Sequence, residues 1–196
     1  ARSPLPDETG KPGSSEKIGR GKLLNRTTAA RLHRYPSFKP PFYLRNPMLQ
    51  TFLSSSRLRV LGNNTMTRCS REILVESGGD NQLQGFLSKR GHGGQALVIL
   101  LHGWEGSAQS AYILHMGKTL FEHNFDIFRL NLRDHGESHH LNSGLFLGTL
   151  IEESYAAVEE IARRFGRERP IFLVGFSMGG NFAIRMATLA SGSSVS

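Results

Sequence analysis

Residues 171–185, IFLVGFSMGGNFAIR, decide the fold. Pro170 to Val174 reads as a buried strand, and Phe182 to Leu189 opens a helix. The segment Gly175-Phe176-Ser177-Met178-Gly179 therefore turns a strand abruptly into a helix. Such a bend holds its central residue in a strained backbone conformation and crowds the residues two before and two after it. Glycine, lacking a Cβ, fits at 175 and 179. The bend lifts the Ser177 hydroxyl clear of the sheet and turns it toward the positive end of the following helix. G-x-S-x-G in this setting is the signature of a nucleophilic serine. A Gly-rich turn alone carries the same letters without needing a strand before it and a helix after it.

Upstream, Ala96 to Leu101 (ALVILL) is a continuous apolar run, as expected of a strand covered on both faces. His102-Gly103-Trp104-Glu105-Gly106-Ser107 follows at once. Charge developing on a carbonyl oxygen needs preorganised N–H donors. The expected donors are the backbone N–H groups of Met178, next to the nucleophile, and of Trp104. His102, Gly103, Gly175 and Gly179 shape the site. His102 is read as a loop-stabilising residue, not as the general base.

Ser110 to Glu122 has helical spacing of Ile113, Leu114, Gly117, Leu120 and Phe121; Phe125 to Leu132 reads as a strand, and Leu150 to Phe165 as an amphipathic helix. Strands alternating with helices imply a parallel sheet with crossover helices. Before them, Glu72–Glu76 and Gln82–Lys89 flank the turn Gly78-Gly79-Asp80-Asn81 and predict an antiparallel hairpin. The fold class is α/β, mostly parallel, with an N-terminal antiparallel hairpin.

Residues 131–140, NLRDHGESHH, hold three histidines and two acids at the carboxyl end of a strand, where open α/β sheets place their sites. Their spacing matches no standard zinc pattern, and no metal or other cofactor is expected. They read as a rigid loop bordering the pocket. Asp134 and His135 are weak candidates for catalysis, because acid and base ordinarily follow the serine in this order of elements.

The formal charge of +8 over 196 residues belongs entirely to the front. Residues 1–70 carry 13 Lys and Arg against 3 Asp and Glu, and residues 71–196 carry 11 against 13. Residues 1–34 read as a basic, disordered tail. Their charge suits peripheral contact with anionic lipid; without interleaved aromatics in residues 1–30, no nucleic-acid partner is expected. Residues 35–70 form a Pro- and aromatic-rich segment. Its stretch 35–52, with five aromatics and four prolines, is expected to be extended and to lie against the core or a ligand entrance. Residues 71–196 form the core domain. The single cysteine, Cys69, rules out an intrachain disulfide and suits a reducing compartment. No apolar run approaches the length of a bilayer span. A cytoplasmic location is expected, with membrane association as the alternative.

HGWEGS (102–107), NLRDHGES (131–138) and GFSMGG (175–180), in this order and spacing, resemble the α/β-hydrolase superfamily. Residues 38–51, FKPPFYLRNPMLQT, further resemble the leader of its YheT-like branch, which usually has His where this chain has Met48. The resemblance spans residues 35–190. It implies an ester hydrolase, acting on small-molecule or lipid esters through Ser177 and an acyl-enzyme. It also implies that the chain is an incomplete α/β-hydrolase fold, stopping before the acid and the His of the triad, with one sheet edge open. A non-catalytic binding protein on the same scaffold is the alternative.

Overall fold

The computed structural model describes residues 39–55, 64–166 and 168–193. The chain divides into two compact units, Ala1–Tyr43 and Leu44–Ser196. The basic tail expected over residues 1–34, and the membrane contact expected of it, lie outside the described residues.

Five strands form one sheet: β1 (Ser70–Glu76), β2 (Gln82–Ser88), β3 (Leu97–Leu101), β4 (Asp126–Leu130) and β5 (Ile171–Gly175), in the spatial order β1-β2-β4-β3-β5. β1 and β2 make the expected antiparallel hairpin, and β2 also runs antiparallel to β4. β4 and β5 lie parallel on either side of β3, with Leu101 opposite Leu130 and Gly175. The carboxyl ends of β3, β4 and β5 therefore finish level with one another. At the hairpin turn, Gly78 and Gly79 both have positive φ (96° and 57°), a conformation that glycine adopts without steric cost.

Every residue of β3 is buried, and alternation divides its side chains between two cores. Leu97, Ile99 and Leu101 join Phe128 and Leu130 on one face. There they meet Ala157 and Ile161 of α4 (Ile151–Ile161), which continues into a π-helical turn at Ala162–Gly166. They also meet Phe182 and Met186 of α5 (Met178–Ser193). Val98 and Leu100 face the other way, onto Met66 of the short α2 (Thr65–Arg68) and onto Ile113, Leu114 and Phe121 of α3 (Ala111–Glu122). Each buried Val, Leu, Ile, Phe or Met among them stabilises the fold by about 1.5–3 kcal/mol.

Two expectations need correction. The stretch 35–52 is not extended throughout: Phe42–Leu44 forms a 3-10 turn and Pro47–Ser55 a helix, α1. Proline is at home in the first position of a helix, where its missing N–H costs no bond. The Asn46 side chain caps the start, its Oδ1 accepting from the Met48 N–H at 2.9 Å. Met48 and Phe52 on α1 are exposed, not packed on the core. The second correction concerns β5, read as a buried strand. It is the edge strand beyond β3, with Ile171 and Phe172 exposed.

Candidate active site

β5 leads into α5 without a connecting loop, so the chain reverses its hydrogen-bonding pattern within three residues. Phe176 N–H donates to the Leu101 carbonyl at 3.1 Å, and Gly179 N–H already donates back to Phe176 at 2.9 Å. Between them Ser177 has φ of 52°, in the left-handed region that a side chain ordinarily avoids. Ser177 is exposed. Met178 is the first residue of α5, and the first-turn N–H groups of a helix have no acceptor within it.

The neighbouring glycines show what holds the bend. A Cβ on Gly175 would sit 2.1 Å from the Gly179 carbonyl oxygen, the mutual crowding expected from the sequence. A Cβ on Gly179 would sit 2.5 Å from the His102 carbonyl oxygen and 2.7 Å from that of Leu101. Gly179 is therefore small because of the end of β3, a constraint that local sequence does not reveal. Gly103 completes the fit: its Cβ position is 3.2 Å from the Phe176 oxygen and 3.4 Å from the Ser177 Cβ. The loop after β3 thus lies directly against the serine.

That loop is fixed from below by a residue the sequence reading passed over. Tyr112, on α3, accepts the Gly103 N–H on its hydroxyl at 2.8 Å, and its ring packs against Phe176 with centroids 4.9 Å apart. Its Cβ falls outside the apolar stripe of its helix, so periodicity gave no hint of it. With the Gly103 N–H occupied, the next N–H along the loop is that of Trp104, whose side chain is exposed and meets Phe146 edge-on at 6.0 Å.

His102 is fully buried, and both ring nitrogens are engaged. Nε2 accepts the Leu132 N–H at 3.1 Å, which leaves Nδ1 to donate to the Gly103 carbonyl at 2.8 Å. Burial, partly opposed by the Gly103 bond and assisted by nearby His135, lowers its pKa to about 4. A neutral imidazole with both nitrogens occupied is a brace between the loops after β3 and β4.

In the second loop, Arg133 forms a buried forked pair with Glu153 of α4 and donates to the Ser143 carbonyl at 2.7 Å. Asn131 Oδ1 accepts the Ala108 N–H at 2.6 Å while its Nδ2 donates to Gln84 Oε1 at 2.7 Å. Asp134, with φ of 58°, is bonded to His139, a contact that holds its carboxyl below the usual range. His135 Nδ1 lies 2.7 Å from the Arg133 carbonyl. Among the described residues, no group of three His, Cys, Asp or Glu side chains converges as a metal site requires. No helix among them is long and apolar enough to cross a membrane.

Residues 96–196 match the family described as the alpha/beta hydrolase fold, so the chain belongs to that family. Among solved structures it is similar to the Pyrococcus furiosus esterase Pf2001, at 25% identity and a TM-score of 0.53 over 65% of this chain and 50% of that one. It shares its fold with XC6422 of Xanthomonas campestris, a lidless a/b serine hydrolase (18% identity, TM-score 0.51, 62% of this chain and 57% of that one). It likewise shares the fold of Est1E from Butyrivibrio proteoclasticus, seen with ferulic acid bound (21%, 0.52, 61% and 48%). The chain spans about half the length of these relatives. Among curated proteins none matches it.

Proposed function

We propose that this chain is part of a serine hydrolase of carboxylic esters with Ser177 as its nucleophile. Ser177 Oγ attacks the acyl carbonyl and passes its proton to a histidine base; the alkoxide leaves with that proton, and water then hydrolyses the acyl-enzyme. The N–H groups of Trp104 and Met178 receive the oxyanion. The reading rests on one observation above the others: an exposed serine held at φ 52° where a strand meets a helix N-terminus. The glycine-dependent contact with the loop after β3 supports it.

The histidine base and its acid belong to residues outside these 196. His102 is unsuited to the task, being neutral with both nitrogens engaged. Residues 38–51 support placement in the YheT-like branch, and with it an ester of lipid or phospholipid type as substrate. The reaction uses no cofactor.

The test is hydrolysis of p-nitrophenyl acetate, butyrate and palmitate and of a phospholipid by the full-length protein. Ser177→Ala should lower turnover by a factor on the order of 10⁴ or more. A variant that keeps its activity, or an intact protein that cleaves none of these esters, contradicts the proposal; the latter result favours a binding protein. Preference for the long acyl chains sharpens the substrate to a lipid.

A further inference from the structure

The opposite end of the sheet holds a cavity of about 360 Å³, lined by Lys89, Arg90, His92, Asp126, Arg169 and the glycines of the turn before β3. Arg90 and His92 belong to that turn, Asp126 is the first residue of β4, and Arg169 lies two residues before β5. The cavity therefore sits at the amino ends of the strands whose carboxyl ends carry Ser177. The five residues of β5 alone separate the two by roughly 17 Å.

Charge at this cavity is unbalanced. Its one carboxylate, Asp126, is buried and already occupied: Oδ1 accepts the N–H groups of Arg90 (2.8 Å) and Gly94 (3.0 Å), and Oδ2 accepts Arg169 Nη1 (2.8 Å). Arg169 also donates to the carbonyls of Gly94, Gly166 and Phe165, so it serves as a clamp between β4 and the approach to β5. The side chains of Lys89 and Arg90 have no carboxylate partner among the described residues. The Arg90 guanidinium lies over Phe121 at 4.9 Å and Lys89 Nζ over Phe165 at 5.4 Å. The rings hold the charged groups themselves, and the N–H groups of the guanidinium and ammonium that do not face a ring stay open to an anion. Lys89, Arg90 and Arg169 against Asp126 leave two positive charges in excess.

We propose that this cavity binds the phosphate group of a phosphate-bearing molecule. A concave site with an excess of two positive charges favours a dianion, and phosphate oxygens match the forked donors of arginine. The volume falls in the range of small-molecule sites, roughly 300–1,000 Å³, so it admits more than a bare phosphate. The ligand would bridge the turn before β3 and the starts of β4 and β5, away from the serine, as a second site and not as part of ester cleavage.

The experiment is titration calorimetry of the full-length protein with pyrophosphate and, separately, with phosphatidylcholine vesicles containing phosphatidic acid. Saturable one-to-one binding is expected in at least one arm. Lys89→Gln with Arg90→Gln should weaken it about 100-fold, roughly tenfold for each charged donor lost. Lys118→Gln, on the exposed side of α3, should leave it unchanged. Should the double variant fail to fold, Lys89→Gln alone is read, with a tenfold loss expected. Binding of pyrophosphate identifies a soluble phosphate compound as the source of the group, and binding of vesicles alone identifies a lipid headgroup. Absence of binding in both arms, or binding that survives the Lys89 and Arg90 substitutions, overturns the proposal.

Discussion

The bend after β5 and the loop after β4 lie at the same end of the sheet, one on each side of β3, yet they are shaped by opposite means. The bend around Ser177 is held by side chains that are missing: Gly175 and Gly179 let backbones close to a distance no Cβ would tolerate, and Gly103 lies against Phe176 and Ser177 more tightly than most Cβ atoms would. The loop 131–140 is held by side chains that are present. Arg133 reaches Glu153, Asn131 reaches Ala108 and Gln84, and His102 reaches in from the neighbouring loop. Exclusion makes a site rigid at a few positions and leaves no tolerance there. Polar bracing spreads the same task over partners distant in sequence, each removable at a finite cost.

The sharpest way to break this contrast is at Gly175. Gly175→Ala forces a methyl group onto the Gly179 backbone, which has no flexible end to yield. A loss of about 3 kcal/mol or more in urea unfolding is expected. A variant as stable as the parent would show that the bend is not held by exclusion.

Substitution in the braced loop should cost a comparable amount but behave differently. Arg133→Ala or Glu153→Ala alone strands a buried charge and should cost about 3–5 kcal/mol, whereas the pair replaced together by Met and Leu should recover most of it. Additive losses in the double-mutant cycle would contradict the pairing.

His102 gives a smaller, pH-dependent effect. An unfolded histidine titrates near 6.5 and this one near 4, so the unfolded chain takes up its proton first. The stability it contributes is therefore complete above about pH 6.5 and falls as the pH drops. By about pH 4 it is gone, a change of about 3 kcal/mol. Urea midpoints measured from pH 7 to pH 4 should show that slope, and His102→Gln should flatten it.

The smallest effect is expected at Trp104. If its contribution to the site is a main-chain N–H, Trp104→Ala should change ester turnover less than about tenfold, well below the loss of one oxyanion donor. A drop as large as that of a lost donor would move the role from the backbone to the indole.

The same contrast explains what the sequence disclosed. A bend that admits only glycine at fixed offsets leaves its mark on the residues themselves, so Gly175-Phe176-Ser177-Met178-Gly179 was legible within its own fifteen residues. β3 was legible because a strand covered on both faces is apolar throughout; β4, equally buried, carries Asp126 and Arg129 among its five residues. An edge strand with the same composition reads identically, so nothing in Ile171 to Val174 told that β5 has one open side. α1 was hidden because prolines suggest extended chain, and only the Asn46-Pro47 pair marks a helix start. The braces escaped notice for another reason. Arg133 and Glu153 are 20 residues apart, and Asn131 and Gln84 are 47, distances over which no local pattern operates.

The central claim is that Ser177 Oγ faces two backbone donors, one from each neighbouring strand end. A crystal structure of the full-length protein inhibited with a fluorophosphonate tests it most directly. The account predicts phosphorus bonded to Ser177 Oγ, with one phosphonyl oxygen about 2.7–3.1 Å from both the Trp104 and the Met178 nitrogens. An adduct on another residue, or a phosphonyl oxygen turned toward solvent away from both nitrogens, would contradict it.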